Sequence, residues 1–337
     1  MQNGKNKRIY IQDVAVRDGF QIEPRFIPTE QKIALIDALS QTGLAKIEVT
    51  SFTSPKAIPA LADAEDVMNG IQRVPGVIYT VLVPNMRGAE RALGCRADEL
   101  NLVMSVSETH NLTNLRMTRE QSFAQLAEVI DYARPSGVAL NVSLSCSFGC
   151  PMEGAVPKEE VFGWVDRFIS LGVHGITLCD TTGMAYPTQV YDICSEFRQR
   201  WSAAELTLHF HNTRGMGLAN ALGAIEAGVD RFDASLGGLG GCPYAPGATG
   251  NICTEDLTHL LGLMGYDTNV NLDALLACAR QLPAMVGHEV PGQTMKAGTV
   301  TDLHSKPEWF EEVAERARQK QAQQNSLATS AAQAAAL

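Results

Sequence analysis

Apolar and polar positions along this chain follow two alternating rhythms. Short runs with a period of two predict strands at Ile9–Val14, Lys46–Thr50, Val77–Val83, Glu99–Val106, Ala139–Ser145, Gly175–Asp180, Thr207–His211 and Arg231–Ser235. Between them lie longer stretches with helical spacing. Gln31–Ser40 sets Ile33, Leu35, Ile36 and Leu39 on one side, and Glu159–Leu171 spaces Val161, Phe162, Val165, Phe168 and Ile169 for one buried face. Strand and helix in repeated alternation with short loops predict parallel pairing through right-handed crossovers. Eight such units predict an α/β fold, a (β/α)8 TIM barrel. The rival, an open doubly wound sheet, usually carries a Gly-rich dinucleotide loop after its first strand, and none follows this one.

Past the eighth unit, Leu257–Leu263 and Leu272–Leu282 read as additional C-terminal helices packed below or beside the barrel. The expected organisation is a barrel domain over residues 1–290, then a helical extension over 291–321, charged and helix-prone from Pro307. Residues 322–337 are mostly Ala, Gln and Ser without a charged side chain, and are expected to form a disordered tail.

Composition narrows the function classes. Of 337 residues, 45% are hydrophobic and 19% charged, which excludes a disordered chain. A net charge of −10 without a basic cluster argues against nucleic acid as a partner. No apolar run approaches the ~20 residues of a membrane helix, and no apolar stretch follows the basic start as a signal peptide requires. Eight cysteines scattered over so long a chain do not make a disulfide framework, so a cytoplasmic protein with free thiols is expected.

In such a barrel the active site lies at the C-terminal ends of the strands. Reactive residues collect there: Arg17-Asp18-Gly19 after the first strand, Glu48 and Ser51 in and after the second, Asp180-Thr181-Thr182 at the sixth, His209-Phe210-His211-Asn212 at the seventh. Residues i and i+2 of a strand share a face, so His209 and His211 project together and can share one metal. As plain core residues, each would need partners or cost ~1–3 kcal/mol. Asp18 can add an anionic oxygen. Two imidazoles with oxygen ligands and no sulfur suit Mg²⁺ or Mn²⁺, with Zn²⁺ open. Arg17 would be a fixed cation for a developing oxyanion. Glu48 is either a helix-facing residue or an inward carboxylate orienting Arg17 or the ligands. After the eighth strand, Gly237-Gly238-Leu239-Gly240-Gly241-Cys242-Pro243-Tyr244-Ala245-Pro246-Gly247 is glycine-rich enough to move as a lid, carrying Cys242 at its centre. Beyond it, Asn251 offers a carbonyl oxygen to the metal.

These motifs resemble the hydroxymethylglutaryl-CoA lyase family among the metal-dependent lyase and synthase barrels. The likeness runs from about Ile11 to about Asn271. It is carried by Arg17-Asp18-Gly19-Phe20-Gln21, the segment from Glu48 to Lys56, Gly149-Cys150-Pro151-Met152-Glu153-Gly154, Asp180-Thr181-Thr182-Gly183, His209-Phe210-His211-Asn212 and the Cys242 loop. The Arg-Asp and His-x-His pairs also occur in isopropylmalate and homocitrate synthases; the Gly-Gly-Cys-Pro-Tyr-Ala loop resembles the lyases alone. The resemblance implies a retro-Claisen cleavage of 3-hydroxy-3-methylglutaryl-CoA to acetyl-CoA and acetoacetate, a step of leucine degradation, with Mg²⁺ or Mn²⁺. It implies Asp18, His209, His211 and Asn251 as metal ligands and Arg17 as the enolate's counter-charge. Cys242 is then a mobile acid/base thiol, with Glu48 and Asp180 in support. Gln21, Ser51, Thr181 and His110 are the implied substrate contacts, Arg25 and Lys56 the contacts to the CoA phosphates, and a homodimer or larger oligomer is implied as well.

Three departures touch substrate choice. The family's usual Leu-Gln-Asn reads Phe20-Gln21-Ile22, its Gly before the Asp-Thr motif is Cys179, and its Asp after the histidines is Asn212. A lyase for another branched 3-hydroxyacyl-CoA, such as citramalyl-CoA or an isoprenoid-extended glutaryl-CoA, is therefore an alternative. A Claisen-condensing synthase and a non-catalytic metal-binding barrel are the others.

Overall fold

The computed structural model describes residues 7–241 and 250–334. Eight parallel strands close on themselves: β1 (Tyr10–Asp13), β2 (Lys46–Ser51), β3 (Ile78–Val83), β4 (Glu99–Ser105), β5 (Ala139–Ser145), β6 (Gly175–Asp180), β7 (Glu205–Phe210) and β8 (Arg231–Ala234). Each pairs with its sequence neighbour, and β8 returns to β1 in a closed barrel. The expected barrel is present, with strand ends shifted by at most two residues.

Alternation along the strands separates two environments. Ile11, Ile47, Val81, Leu100, Val142, Ile176, Leu208 and Phe232 are fully buried in the hydrophobic core with residues of the surrounding helices. The helix Thr29–Ser40 buries Leu35, Ile36 and Leu39, and Lys158–Ser170 buries Val161, Phe162, Trp164, Val165 and Phe168. Each such side chain contributes roughly 1.5–3 kcal/mol, and together they hold the ring of helices on the sheet.

The other set of positions lines the barrel and is polar. Gln12, Lys46, Glu48, Thr80, Glu99, Asn101, Asn141, Thr177 and Asp233 surround a narrow interior cavity. A typical barrel fills this space with branched apolar residues. Here the groups satisfy one another. Lys46 Nζ donates to both Glu99 oxygens at 2.6 and 2.7 Å, Asn141 Nδ2 donates to Asn101 Oδ1 and Thr177 Oγ1, both at 2.9 Å, and Gln12 Nε2 donates to Thr207 Oγ1 at 3.3 Å. A network paired in this way escapes the penalty for buried unpaired polar groups.

The helices beyond β8, Thr254–Leu263, Leu272–Ala279, Leu282–Val286 and Thr294–Ala297, belong to the barrel's compact unit, which ends at Ala297. The expected boundary at residue 290 falls short because Val290 is buried and the Thr294 amide donates to Asp256 Oδ1 at 2.7 Å. The second unit begins at Gly298 and contains one helix, Phe310–Ala334. That helix runs through most of the stretch expected to be a disordered tail. Low complexity and missing charge do not remove helix propensity, and Ala and Gln are good helix formers. Among the described residues, no helix is long and apolar enough to cross a membrane.

Candidate metal centre

β1 does not end in an ordinary turn. It passes into a short π-helix, Ala15–Gly19, started by the Asp13 carboxylate accepting the Ala15 amide at 2.9 Å. π-Helical turns are rare and recur at functional sites. This one carries Arg17 and Asp18 at the barrel mouth. Arg17 Nε donates to Glu48 Oε2 and its Nη1 to Asp18 Oδ1, each at 2.5 Å. Glu48 therefore points inward, and Asn101 Nδ2 donates to its other oxygen at 2.9 Å. Burial opposes the Arg17 charge, but the Glu48 and Asp18 carboxylates hold the guanidinium firmly protonated. Burial also raises the Glu48 carboxyl, against the pull of Arg17.

Asp18, His209 and His211 form the one cluster of three such groups among the described residues that could hold a metal ion. Nε2 of each histidine lies 3.9 Å from Asp18 Oδ2. Burial would raise the Asp18 carboxyl, yet Arg17 and the two imidazoles hold it well below the ordinary range, so it is an anion at any working pH. Asn251 comes from 233 residues away and donates Nδ2 to Asp18 Oδ2 at 2.7 Å. Its Oδ1 is buried and accepts no hydrogen bond, which leaves one more oxygen able to bind a cation. Gly240 crosses directly over these groups with φ +114°. A Cβ there would lie 2.6 Å from Asn251 Nδ2 and 3.2 Å from Asp18 Oδ2, so no other residue fits. One carboxylate, two imidazoles and one amide oxygen suit a divalent cation with positions left for substrate.

The remaining candidates are less uniform. Asp180 closes the turn after β6, its Oδ1 accepting the Met184 and Ala185 amides at 2.7 and 3.1 Å; burial pushes its pKa up to about 6 against these bonds. Thr181 Oγ1 accepts the Cys146 amide at 2.9 Å, and Ser51 Oγ bonds Thr53 Oγ1 at 2.8 Å. His110 is buried in the helix Glu108–Leu115, and Gln21 is half-buried just past the π-helix. Arg25 and Lys56 are exposed on the loops that follow β1 and β2. Cys242 lies outside the described residues. Of the three departures, Ile22 is 41% exposed and adds apolar surface beside the mouth, while Cys179 is buried with its thiol on the Thr177 carbonyl. Asn212 Oδ1 accepts the Gly217 amide at 3.0 Å, at the start of the next helix, a bond an Asp would also make.

Sequence reasoning missed Asp233. Its Oδ2 lies 3.2 Å from His209 Nδ1. No local pattern marks it, because its partner is set by the register of β8 against β7.

Glu255 anchors the segment leading toward Cys242. It is fully buried, accepts the Gly237 amide at 3.0 Å, and has a pKa pushed up to about 7 by burial. Between the ordinary 4.5 and about 7 the folded chain keeps a proton that the unfolded chain has lost. Stability therefore falls as pH rises through that window and levels off above it, by on the order of 3 kcal/mol from this group. Glu255→Gln should flatten the profile, so thermal melts at pH 5 and pH 8 should differ less than in the parent chain. Parallel profiles would remove the assignment.

A closed barrel with a polar interior and this cluster at its C-terminal mouth is the framework of a metal-using barrel enzyme. The HMGL-like family profile matches residues 8–282. The chain is 44% identical over 290 residues to the hydroxymethylglutaryl-CoA lyase of Bacillus subtilis (strain 168), covering 86% of this chain and 97% of the relative. It is 41% identical over 270 residues to the mitochondrial enzyme of that name from Homo sapiens, covering 80% and 83%. Among solved structures, an HMG-CoA lyase from Acinetobacter baumannii in complex with coenzyme A and 3-methylmalate superposes with a TM-score of 0.86 at 52% identity, covering 89% of this chain and 98% of the other. The chain belongs to the hydroxymethylglutaryl-CoA lyase family.

Proposed function

We propose that this enzyme cleaves 3-hydroxy-3-methylglutaryl-CoA to acetyl-CoA and acetoacetate. The observation that carries the reading is the joining of Arg17 to Asp18 within one π-helical turn, which sets a buried cation next to the candidate metal ligands. Enzymes of this family use a divalent metal, and Asp18, His209, His211 and Asn251 would hold it here as Mg²⁺ or Mn²⁺. When bound, the cation supplies Lewis acidity toward the substrate's oxygens.

The chain's own groups do the rest. Cys242, as its thiolate, takes the proton of the tertiary hydroxyl. The alkoxide closes to the ketone of acetoacetate as the carbon–carbon bond breaks, and that bond's electron pair passes to the thioester as an enolate. Arg17 faces that developing negative charge, pre-oriented by Glu48 so that nothing need reorganise as it forms. Cys242 returns a proton to the enolate carbon, giving acetyl-CoA. Gln21, Ser51, Thr181 and His110 line the acyl approach. Arg25 and Lys56, exposed on mouth loops, meet the CoA phosphates. Six of the described cysteines, Cys95, Cys150, Cys179, Cys194, Cys253 and Cys278, are buried free thiols, in keeping with a cytoplasmic setting. The active form is a homo-oligomer.

A coupled assay for acetyl-CoA release, run with Mg²⁺ on a panel of branched 3-hydroxyacyl-CoAs, tests the reading. Hydroxymethylglutaryl-CoA should be cleaved fastest, and Cys242→Ala should lose most of that rate with little change in melting temperature. Faster cleavage of citramalyl-CoA would transfer the assignment to that substrate. No cleavage of any of them, with parent chain and Cys242→Ala equally inert, would end the lyase proposal.

A further inference from the structure

We infer that Asp233 is a positioning residue of the metal centre: it holds His209 in the one ring state and orientation that turn Nε2 toward Asp18 and His211. This rests on the metal reading above. In the parallel pairing of β7 with β8, His209 stands directly opposite Asp233, so the two side chains leave the sheet on the same face. Asp233 Oδ2 lies 3.2 Å from His209 Nδ1, while Nε2 of the same ring faces Asp18 Oδ2 at 3.9 Å. A carboxylate only accepts hydrogen bonds, so Nδ1 carries the hydrogen and a neutral ring keeps its lone pair at Nε2. Both residues are more than nine-tenths buried, so water does not compete for the bond.

Arg17 takes the two other carboxylates of the mouth, donating Nε to Glu48 and Nη1 to Asp18. Across β1, Gln12 is paired in register with Asp233 but donates its side-chain amide to Thr207. The Asp233 carboxylate is thus left for His209.

Partners of this kind typically change metal affinity by about 10- to 100-fold. Calorimetric titration of the full chain with Mn²⁺ should show Asp233→Asn weakening binding within that range. Asp233→Glu keeps the charge and should recover part of the loss. Thermal melts of the metal-free proteins should stay close to one another, and ¹⁵N spectra of metal-free Asp233→Asn should show His209 no longer confined to the Nδ1–H tautomer. Asp233→Asn binding Mn²⁺ within twofold of the parent chain would overturn the role of Asp233 and leave the lyase reading intact. A parent chain that takes up no Mn²⁺ would overturn both this inference and the metal part of the proposed function.

Discussion

Arg17→Gln is expected to lower kcat for hydroxymethylglutaryl-CoA cleavage by about 10³-fold, with a much smaller change in KM. The guanidinium is nine-tenths buried and tied to two carboxylates, at 2.5 Å each. A donor fixed in that way and aimed at a developing oxyanion is commonly worth 10²–10³ in rate. The loss belongs to kcat because the charge it answers exists only as the bond breaks. Removing Arg17 also strips Glu48 and Asp18 of their counter-charge, at roughly 3–5 kcal/mol for a broken buried pair. A fall in activity could then reflect unfolding, so Arg17→Lys is the second arm. Lysine restores the charge but cannot span two carboxylates with a planar fork. It should recover most of the melting temperature and little of the rate. If Arg17→Gln keeps kcat within tenfold of the parent chain, Arg17 does not carry the enolate charge; if Arg17→Lys keeps it, the charge alone suffices and the planar fork is not needed.

The strands and the strand-end residues were legible because both depend on local periodicity. Period-two alternation places His209 and His211 on one face whatever surrounds them, and the barrel then brings that face to Asp18. Alternation does not say which face turns toward the axis. Glu48 stayed ambiguous in sequence for that reason, and its inward position follows from closure of a barrel whose interior is polar at nearly every level. The same rule hid Asp233, since a lone Asp in a four-residue strand acquires its role only from the register with β7. The π-helix was invisible as well. Val-Arg-Asp-Gly has no feature that separates it from a turn, and its backbone is set by Asp13 and by contact with the segment around Leu239. At the far end, absence of charge suggested disorder where alanine-rich sequence extends a helix to Ala334.

His211→Ala should weaken Mn²⁺ binding by more than Asp233→Asn does, at least about 100-fold, and reduce cleavage by a similar factor at limiting metal. His211 stands just past β7, where its backbone forms a bridge with Asn251 and its amide donates to the Asp180 carbonyl at 3.3 Å. Alanine keeps both backbone links, so Asn251 should stay in place and the effect should isolate the loss of one imidazole. The metal dependence of the rate then separates two meanings of lost activity. If His211 serves as a ligand, Asp18, His209 and Asn251 still offer three donors, and raising Mn²⁺ should restore much of the rate. If His211 instead acts on the substrate, added metal should restore nothing while calorimetry finds binding unchanged. Unchanged binding would take His211 out of the ligand set.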